Sequence, residues 1–347
     1  MKLLPSALIL ATLAGAVAAP HTVRAGPAAA SAPPAATVAP AAGTYTGPKR
    51  LNKVIELLES GQPVYYSYGA RGQDPARTPQ EMYEFGKSLG KTWADLLMYD
   101  MEHAPLDFNL LRAFMQGLVD GGPTPSGHRT PAVIVTLPLL GLDRETVRNN
   151  HWMIQQALAC GIHGLHLNRA RDPEAVREFI RQARYPIHPQ GVGEGLEEGI
   201  RGFGSQNFAA RIWGVKPQDY FRLADAWPLN PAGELLFGVK LEDAHAVRNA
   251  DASLRVPGIA FGEAGPRDQS LARGHLEGRA DPPLPPDVQA VVDEVLAACR
   301  RAGKPYLDNV LPDNVIDRLH WGVMIGAGGS ERAADIGRRH TGRTMPW

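Results

Sequence analysis

Cysteine is nearly missing from this chain of 347 residues: Cys160 and Cys299 are the two, far apart and both in helix-like stretches. No C-x-x-C pair and no Cys/His zinc spacing occurs, so a zinc ribbon is excluded and two buried free thiols are expected. Net charge is missing as well. Lys+Arg and Asp+Glu both number 36, so nothing in the balance points to nucleic acid or an acidic membrane surface as a partner. Past the first 25 residues no apolar run is long enough to cross a bilayer, and the mature protein is expected to have no membrane span. There is no Walker lysine and no internal repeat beyond an alternation of strand-like and helix-like stretches.

The N-terminus has what the rest lacks. Lys2 gives a positive start, residues 3–17 are an apolar core too short to span, and Ala16-Val17-Ala18 is a small-x-small cleavage site. Residues 1–25 therefore predict a signal peptide, cleaved after Ala18 or Ala25, and export to the periplasm or beyond the cell. Residues 26–47 are Ala, Pro, Thr and Gly with almost nothing large and apolar, so they predict a linker. One domain over 48–330 follows, then a polar, basic tail at 331–347.

Within that domain, strand-like runs are expected at 64–68, 95–101, 132–137, 163–168, 235–241, 258–262, 305–307 and 323–329. Helical spacing fills the intervals, for example at 79–89, 144–159, 244–254 and 287–301. This alternation predicts an α/β fold, a (β/α)₈ TIM barrel, in which functional groups gather at the carboxyl ends of the strands. The stretch 235–274 organises the rest. Its first run ends in Glu242 and Asp243, its second leads into a glycine-bounded loop carrying Asp268, and Glu242 and Asp268 lie 26 residues apart. Two hard oxygen ligands from neighbouring strand ends suit Mg²⁺ or Mn²⁺. The run at 95–101 ends in Asp100-Met101-Glu102-His103. A carboxylate bonded to one imidazole nitrogen fixes the tautomer and leaves the other nitrogen facing substrate, which suits Asp100 and His103 to acid/base work. His163 and His166 are three apart on a strand, so they point to opposite faces and form no metal pair.

These features resemble the HpcH/HpaI aldolase (citrate lyase β-subunit-like) family of metal-dependent class II pyruvate aldolases, over roughly residues 51–328. The chain keeps Asp-x-Glu-His at Asp100, Glu102 and His103, and Glu242 at a strand end. It also keeps Val256-Pro257-Gly258, and Phe261, Gly265-Pro266, Asp268 and Ser270 in the following loop. Residues 199–204 are similar to the family's G-x-R-G-x-G, and the Gly-rich run 191–204 is expected as a mobile segment at the active-site rim. The resemblance implies a phosphoenolpyruvate/pyruvate-type barrel that cleaves a 4-hydroxy-2-oxo acid, a small-molecule 2-oxo acid substrate, to pyruvate and an aldehyde. Glu242 and Asp268 would hold a divalent cation (Mg²⁺ or Mn²⁺, with Co²⁺ a third option). His103 would carry the proton and Asp100 would orient it, with Glu102, Gly265, Pro266 and Ser270 around the substrate. A homo-oligomer is implied at the family level.

One position departs. Where the family carries an Arg that grips the pyruvate carboxylate, this chain has Thr136, and a hydroxyl cannot replace a bidentate cation. Arg71, after the first strand, and Arg169, after the fourth, are the candidate replacements. Two alternatives stay open on this account: a lyase or hydrolase acting on a different carboxylate-chelating substrate, and an exported binding protein without turnover.

Overall fold

A computed structural model describes residues 47, 49–72, 74–327 and 330–347. The expected signal peptide and nearly all of the 26–47 linker lie outside the described residues. Nine strands are present among them: β1 (Val64–Ala70), β2 (Leu96–Asp100), β3 (Ala132–Leu140), β4 (Gly164–Asn168), β5 (Ala226–Trp227), β6 (Leu235–Lys240), β7 (Phe261–Glu263), β8 (Tyr306–Asn309) and β9 (Val323–Ala327). The first seven helices are α1 (Lys53–Glu59), α2 (Pro79–Leu89), α3 (Phe108–Gly121), α4 (Arg144–Asn149), α5 (His151–Ala159), α6 (Pro173–Ala183) and α7 (Gln206–Trp213). The others are α8 (Pro217–Leu223), α9 (Ala244–Arg248), α10 (Ala250–Leu254), α11 (Pro266–Ala272), α12 (Pro286–Arg301), α13 (Val315–Trp321) and α14 (Glu331–His340).

Eight of the strands run parallel in the order β4-β3-β2-β1-β9-β8-β7-β6, and pairing of β4 with β6 closes the ring. The fold is the (β/α)₈ barrel, with the two-residue β5 paired to the start of β6. Period-two alternation separates two apolar layers. Leu96, Met98, Ala132, Ile134, Leu236 and Phe261 point into the barrel, where Val54, Ile55 and Leu57 of α1 join them. Leu97, Tyr99, Val133 and Val135 point outward into the larger layer under the helices. Gly238 is required by the inner layer, because a Cβ there would lie 2.2 Å from the Phe261 ring that fills the barrel.

The helices start where the chain supplies caps. Thr78 and Glu81 form a capping box on α2, and Asp107, Asp143, Asp172 and Asp243 accept backbone N–H groups at the starts of α3, α4, α6 and α9. Two expected helices are each divided by an asparagine. Asn150 separates α4 from α5 and donates to the Thr146 carbonyl, and Asn249 separates α9 from α10 and donates to the Arg171 carbonyl. Such side chains offer the backbone an alternative to continuing the helix.

The Gly-rich run at 191–204, expected as a mobile rim segment, is hydrogen-bonded to α6 and the residue after it. Arg177 donates to the Gly195 carbonyl, Arg181 to the Glu198 carbonyl, and the Arg201 N–H to the Arg184 carbonyl, so the run is tied along α6. At Gly199 a Cβ would sit 2.4 Å from the Arg184 carbonyl oxygen, which shows how close the two backbones lie. Both cysteines are free and buried, and burial pushes each thiol up to about 12.

The end of the barrel away from the functional strand ends is held by one acid. Asp95, fully buried just before β2, accepts the Tyr65 N–H and pairs with Lys53 at 3.0 Å, Arg338 at 3.3 Å and Arg343 at 2.8 Å. The 331–347 stretch thus carries α14, whose Arg338 is fully buried under the barrel. Burial pushes the Asp95 carboxyl up, but Arg343, Lys53 and Arg338 outweigh it and hold it well below the usual range. Asp95→Asn should cost about 3–5 kcal/mol at neutral pH by leaving three cations in the interior with one neutral partner. An unfolded aspartate titrates near pH ~4 and the folded one lower, so Asp95 contributes stability above that pH and loses it as pH falls. Denaturant titrations of both proteins should therefore show the gap closing below about pH 4.

Candidate active site

The mouth of the barrel is built from residues at or just past the strand ends. Asp100 ends β2, and its Oδ1 accepts the N–H groups of Glu102 (2.9 Å) and His103 (3.1 Å) and the hydroxyl of Thr136 (3.1 Å) from β3. Its Oδ2 faces His103 Nδ1 at 3.0 Å, which leaves Nε2 of a largely exposed ring toward solvent. Burial pushes Asp100 up, yet the hydrogen bonds from the His103 N–H and ring and from the Glu102 N–H hold it below the ordinary carboxylate value. It remains a carboxylate and fixes the His103 tautomer.

Glu242 follows β6 and is 2 % exposed. Its Oε1 accepts the Arg169 N–H at 2.9 Å. Burial pushes its carboxyl up to about 7 against the pull of Lys240, and the negative charges of Asp268 and Glu102 add to the rise. No described residue forms a salt bridge with it within 4.0 Å. Gly265, with φ of +59°, lays its loop against this side chain: a Cβ there would be 2.6 Å from Glu242 Cβ. Asp268 lies three residues on, in the first turn of α11, and its Oδ1 accepts Arg169 Nη2 at 3.2 Å. A buried carboxylate with no paired cation within 4.0 Å, beside a second that is about one-third exposed, is a donor set that fits a divalent ion.

Asp100, Glu102 and His103 also have ligand atoms within 4.8 Å of one another. Asp100, however, already accepts four hydrogen bonds, so this trio is better described as a proton-handling network than as an ion site.

Two residues of the mouth went unread in the sequence. Lys240, the last residue of β6, donates to Glu102 Oε2 at 3.1 Å. Burial alone would discharge it, but Glu263, Glu242 and Glu102 hold its pKa above the ordinary lysine value. Lys240 is thus an ammonium and lacks the depressed pKa that a carbonyl-attacking lysine needs. Glu263, the last residue of β7, is pushed up to about 7 by burial, against Lys240. His166 lies inside the barrel 3.5 Å from Glu263, its ring 4.9 Å from that of Phe261, and burial holds its pKa well below the usual histidine value. His163 faces the other way, accepting the Val133 N–H and stacking on Trp213. A signal for Lys240 existed: it stands two residues before Glu242 and so on the same face of the strand. Glu263 was hidden because the expected run stops at Gly262, whereas β7 extends to Glu263.

Three expected substrate contacts have other partners in the structure. Ser270 is fully buried, and its hydroxyl donates to the Pro266 carbonyl inside α11. Arg71 lies at the rim, occupied by Asp74 and the Tyr68 ring. Thr136 is buried, and its hydroxyl donates to Asp100. Gly265 and Pro266 stay at the mouth, beside Glu242 and at the start of α11.

A hydroxypyruvate/pyruvate aldolase from Cupriavidus necator is 30 % identical over 227 residues, which cover 64 % of this chain and 70 % of that protein. The chain belongs to the HpcH/HpaI aldolase family. A 5-keto-4-deoxy-D-glucarate aldolase from Salmonella paratyphi A is 27 % identical over 249 residues, covering 71 % of this chain and 81 % of the relative. Among solved structures, an HpcH/HpaI aldolase/citrate lyase family protein from Burkholderia cenocepacia superposes with a TM-score of 0.60 at 20 % identity, over 83 % of this chain and 96 % of that one. That likeness bears on the fold. No family model matches the chain.

Thr136 donates to Asp100, the acid that faces His103 Nδ1. Thr136→Val removes one hydrogen bond to a carboxylate, and turnover should fall roughly five- to tenfold. Unchanged turnover with an unchanged melting curve would remove Thr136 from the site.

Proposed function

We propose that this protein is a divalent-metal-dependent carbon–carbon lyase that cleaves a 4-hydroxy-2-oxo acid to pyruvate and an aldehyde. The observation that carries the proposal is that the Asp100–His103 pair and the Glu242–Asp268 pair share one barrel mouth, linked through Glu102 and Lys240. Glu242 and Asp268 would hold Mg²⁺, Mn²⁺ or Co²⁺. When bound, the ion supplies positive charge for the substrate's carboxylate and ketone oxygens and for the negative charge that develops on the ketone oxygen.

The chain's own residues handle the proton. His103 Nε2 takes it from the C4 hydroxyl, while Asp100 at Nδ1 stabilises the imidazolium that forms. The C3–C4 bond breaks, its electron pair passes to the three-carbon fragment, and the aldehyde leaves. The proton on His103 is then available to return to C3 and complete pyruvate. A binding protein without turnover would have no use for a histidine held in this way. A second reading retains support from Thr136, whose hydroxyl is used on Asp100: the substrate would be a different carboxylate-chelating compound. Thr136→Arg separates the two, since a large gain in pyruvate release would place the native substrate elsewhere.

The direct test is pyruvate release from a panel of 4-hydroxy-2-oxo acids by chelator-stripped protein given Mg²⁺, Mn²⁺ or Co²⁺. Glu242→Gln and Asp268→Asn should each abolish Mn²⁺ binding and activity while leaving the melting curve in place. His103→Gln should keep Mn²⁺ binding and lose about 10²–10⁴ in turnover. Full activity in both carboxylate variants would remove the metal assignment.

Export is the companion proposal, resting on the order of charge, apolar core and cleavage site at the N-terminus. N-terminal sequencing of protein recovered outside the cytoplasm should begin at Ala19 or Gly26. A start at Met1 in a cytoplasmic fraction would reject it.

A further inference from the structure

Cations near the carboxylates at the mouth are few, and each has a different degree of freedom. Lys240 stands among Glu102, Glu242 and Glu263 with 15 % of its side chain exposed, and Arg71 is occupied at the rim by Asp74. Arg169, just past β4, is about one-third exposed and spans the two acids assigned to the ion. Its N–H donates to Glu242 Oε1 at 2.9 Å and its guanidinium to Asp268 Oδ1 at 3.2 Å. Among the described residues it is the one non-glycine with φ in the left-handed region, at +45°. The Ala170 N–H on the Lys240 carbonyl (3.0 Å) and the Arg171 N–H on the Arg169 carbonyl (2.7 Å) hold that turn. Non-glycine residues adopt this conformation where the surroundings over-determine it, and such positions cluster at functional sites.

The two bonds of Arg169 are unlike in kind. The backbone bond orients Glu242 and can persist whatever else occupies the mouth. The side-chain bond puts a monovalent guanidinium on Asp268, an acid that the proposed ion also needs. A divalent ion held by Glu242 and Asp268 would compete directly for Asp268, and the guanidinium it displaced would stay tethered beside the same two carboxylates. Arg169 would then be a planar, permanently charged donor next to the place where the substrate's carboxylate must lie.

We propose that Arg169 is an exchangeable cation: it pairs with Asp268 in the ion-free site and, once the ion is bound, turns to grip the carboxylate of the 2-oxo acid, a role that Thr136 cannot fill. This rests on the reading of Glu242 and Asp268 as the ion site.

The test uses the purified chain with Arg169→Met and Arg169→Lys. Two affinities are read: Mn²⁺ for the stripped protein, from the electron paramagnetic resonance of free Mn²⁺, and pyruvate for the Mn²⁺-loaded protein, from water-proton relaxation. Arg169→Met should bind Mn²⁺ at least as tightly as the native protein, because the internal competitor is gone. It should bind pyruvate about ten- to a hundredfold more weakly, with Arg169→Lys in between. Pyruvate affinity unchanged in Arg169→Met overturns the proposal and leaves the ion site standing. Loss of Mn²⁺ binding in Arg169→Met, with a native melting curve, also overturns it and makes Arg169 a brace for Glu242. Failure of the native protein itself to take up Mn²⁺ removes the ion site and this proposal together, an outcome distinct from the other two.

Discussion

Lys240 is the side chain on which the mouth of this barrel depends. Glu242 and Glu263 are removed from water beside Glu102, and a buried carboxylate without a counter-charge is costly. The ammonium sits among all three, and they in turn keep it charged where burial would discharge it. Because Lys240 ends β6, Glu263 ends β7 and Glu102 follows β2, the charge of this one cation acts on three parts of the ring at its open end, while its hydrogen bond goes to Glu102. Groups held in this way are oriented before any ligand arrives, which is the condition for electrostatic stabilisation of a transition state.

The opposite end inverts the arrangement. There a single acid, Asp95, stands among Lys53, Arg338 and Arg343, and the cations come from α1 and the C-terminal segment. The barrel is thereby closed below by charge as well as by the apolar face of α1. The division of labour is the one expected of this fold: a fully buried ion cluster at the foot, and partly satisfied carboxylates at the mouth, where exchange with a ligand is possible.

What could be read in the sequence follows from the same physics. Strand–helix alternation made the barrel legible, and acids ending apolar runs placed Asp100, Glu102, His103, Glu242 and Asp268 at one face, because parallel strands bring their carboxyl ends together. Lys240 and Glu263 escaped because each ends an apolar strand as a lone charged residue, which in isolation reads as solvent exposure. α14 escaped for a different reason. Its sequence is polar almost throughout, and Arg338 is buried by an ion pair with Asp95, a residue far away in the chain. The divisions at Asn150 and Asn249 depend on side-chain bonds to carbonyls, which hydrophobic spacing does not register.

Thr136 shows how a substitution at one strand end redistributes work rather than deleting it. An arginine there would bring a cation to the substrate, but it could not place a short hydroxyl on Asp100 in the same way. With Thr136, Asp100 takes donors from its own loop and from the next strand, so the acid behind His103 is held from two directions. The charge this position does not supply stands one strand further on, at Arg169, in a backbone conformation already committed to Glu242. On the proposed reading, orientation of the proton carrier and provision of an exchangeable positive charge are separated onto β3 and the end of β4. That separation requires only that neighbouring parallel strands end at the same mouth.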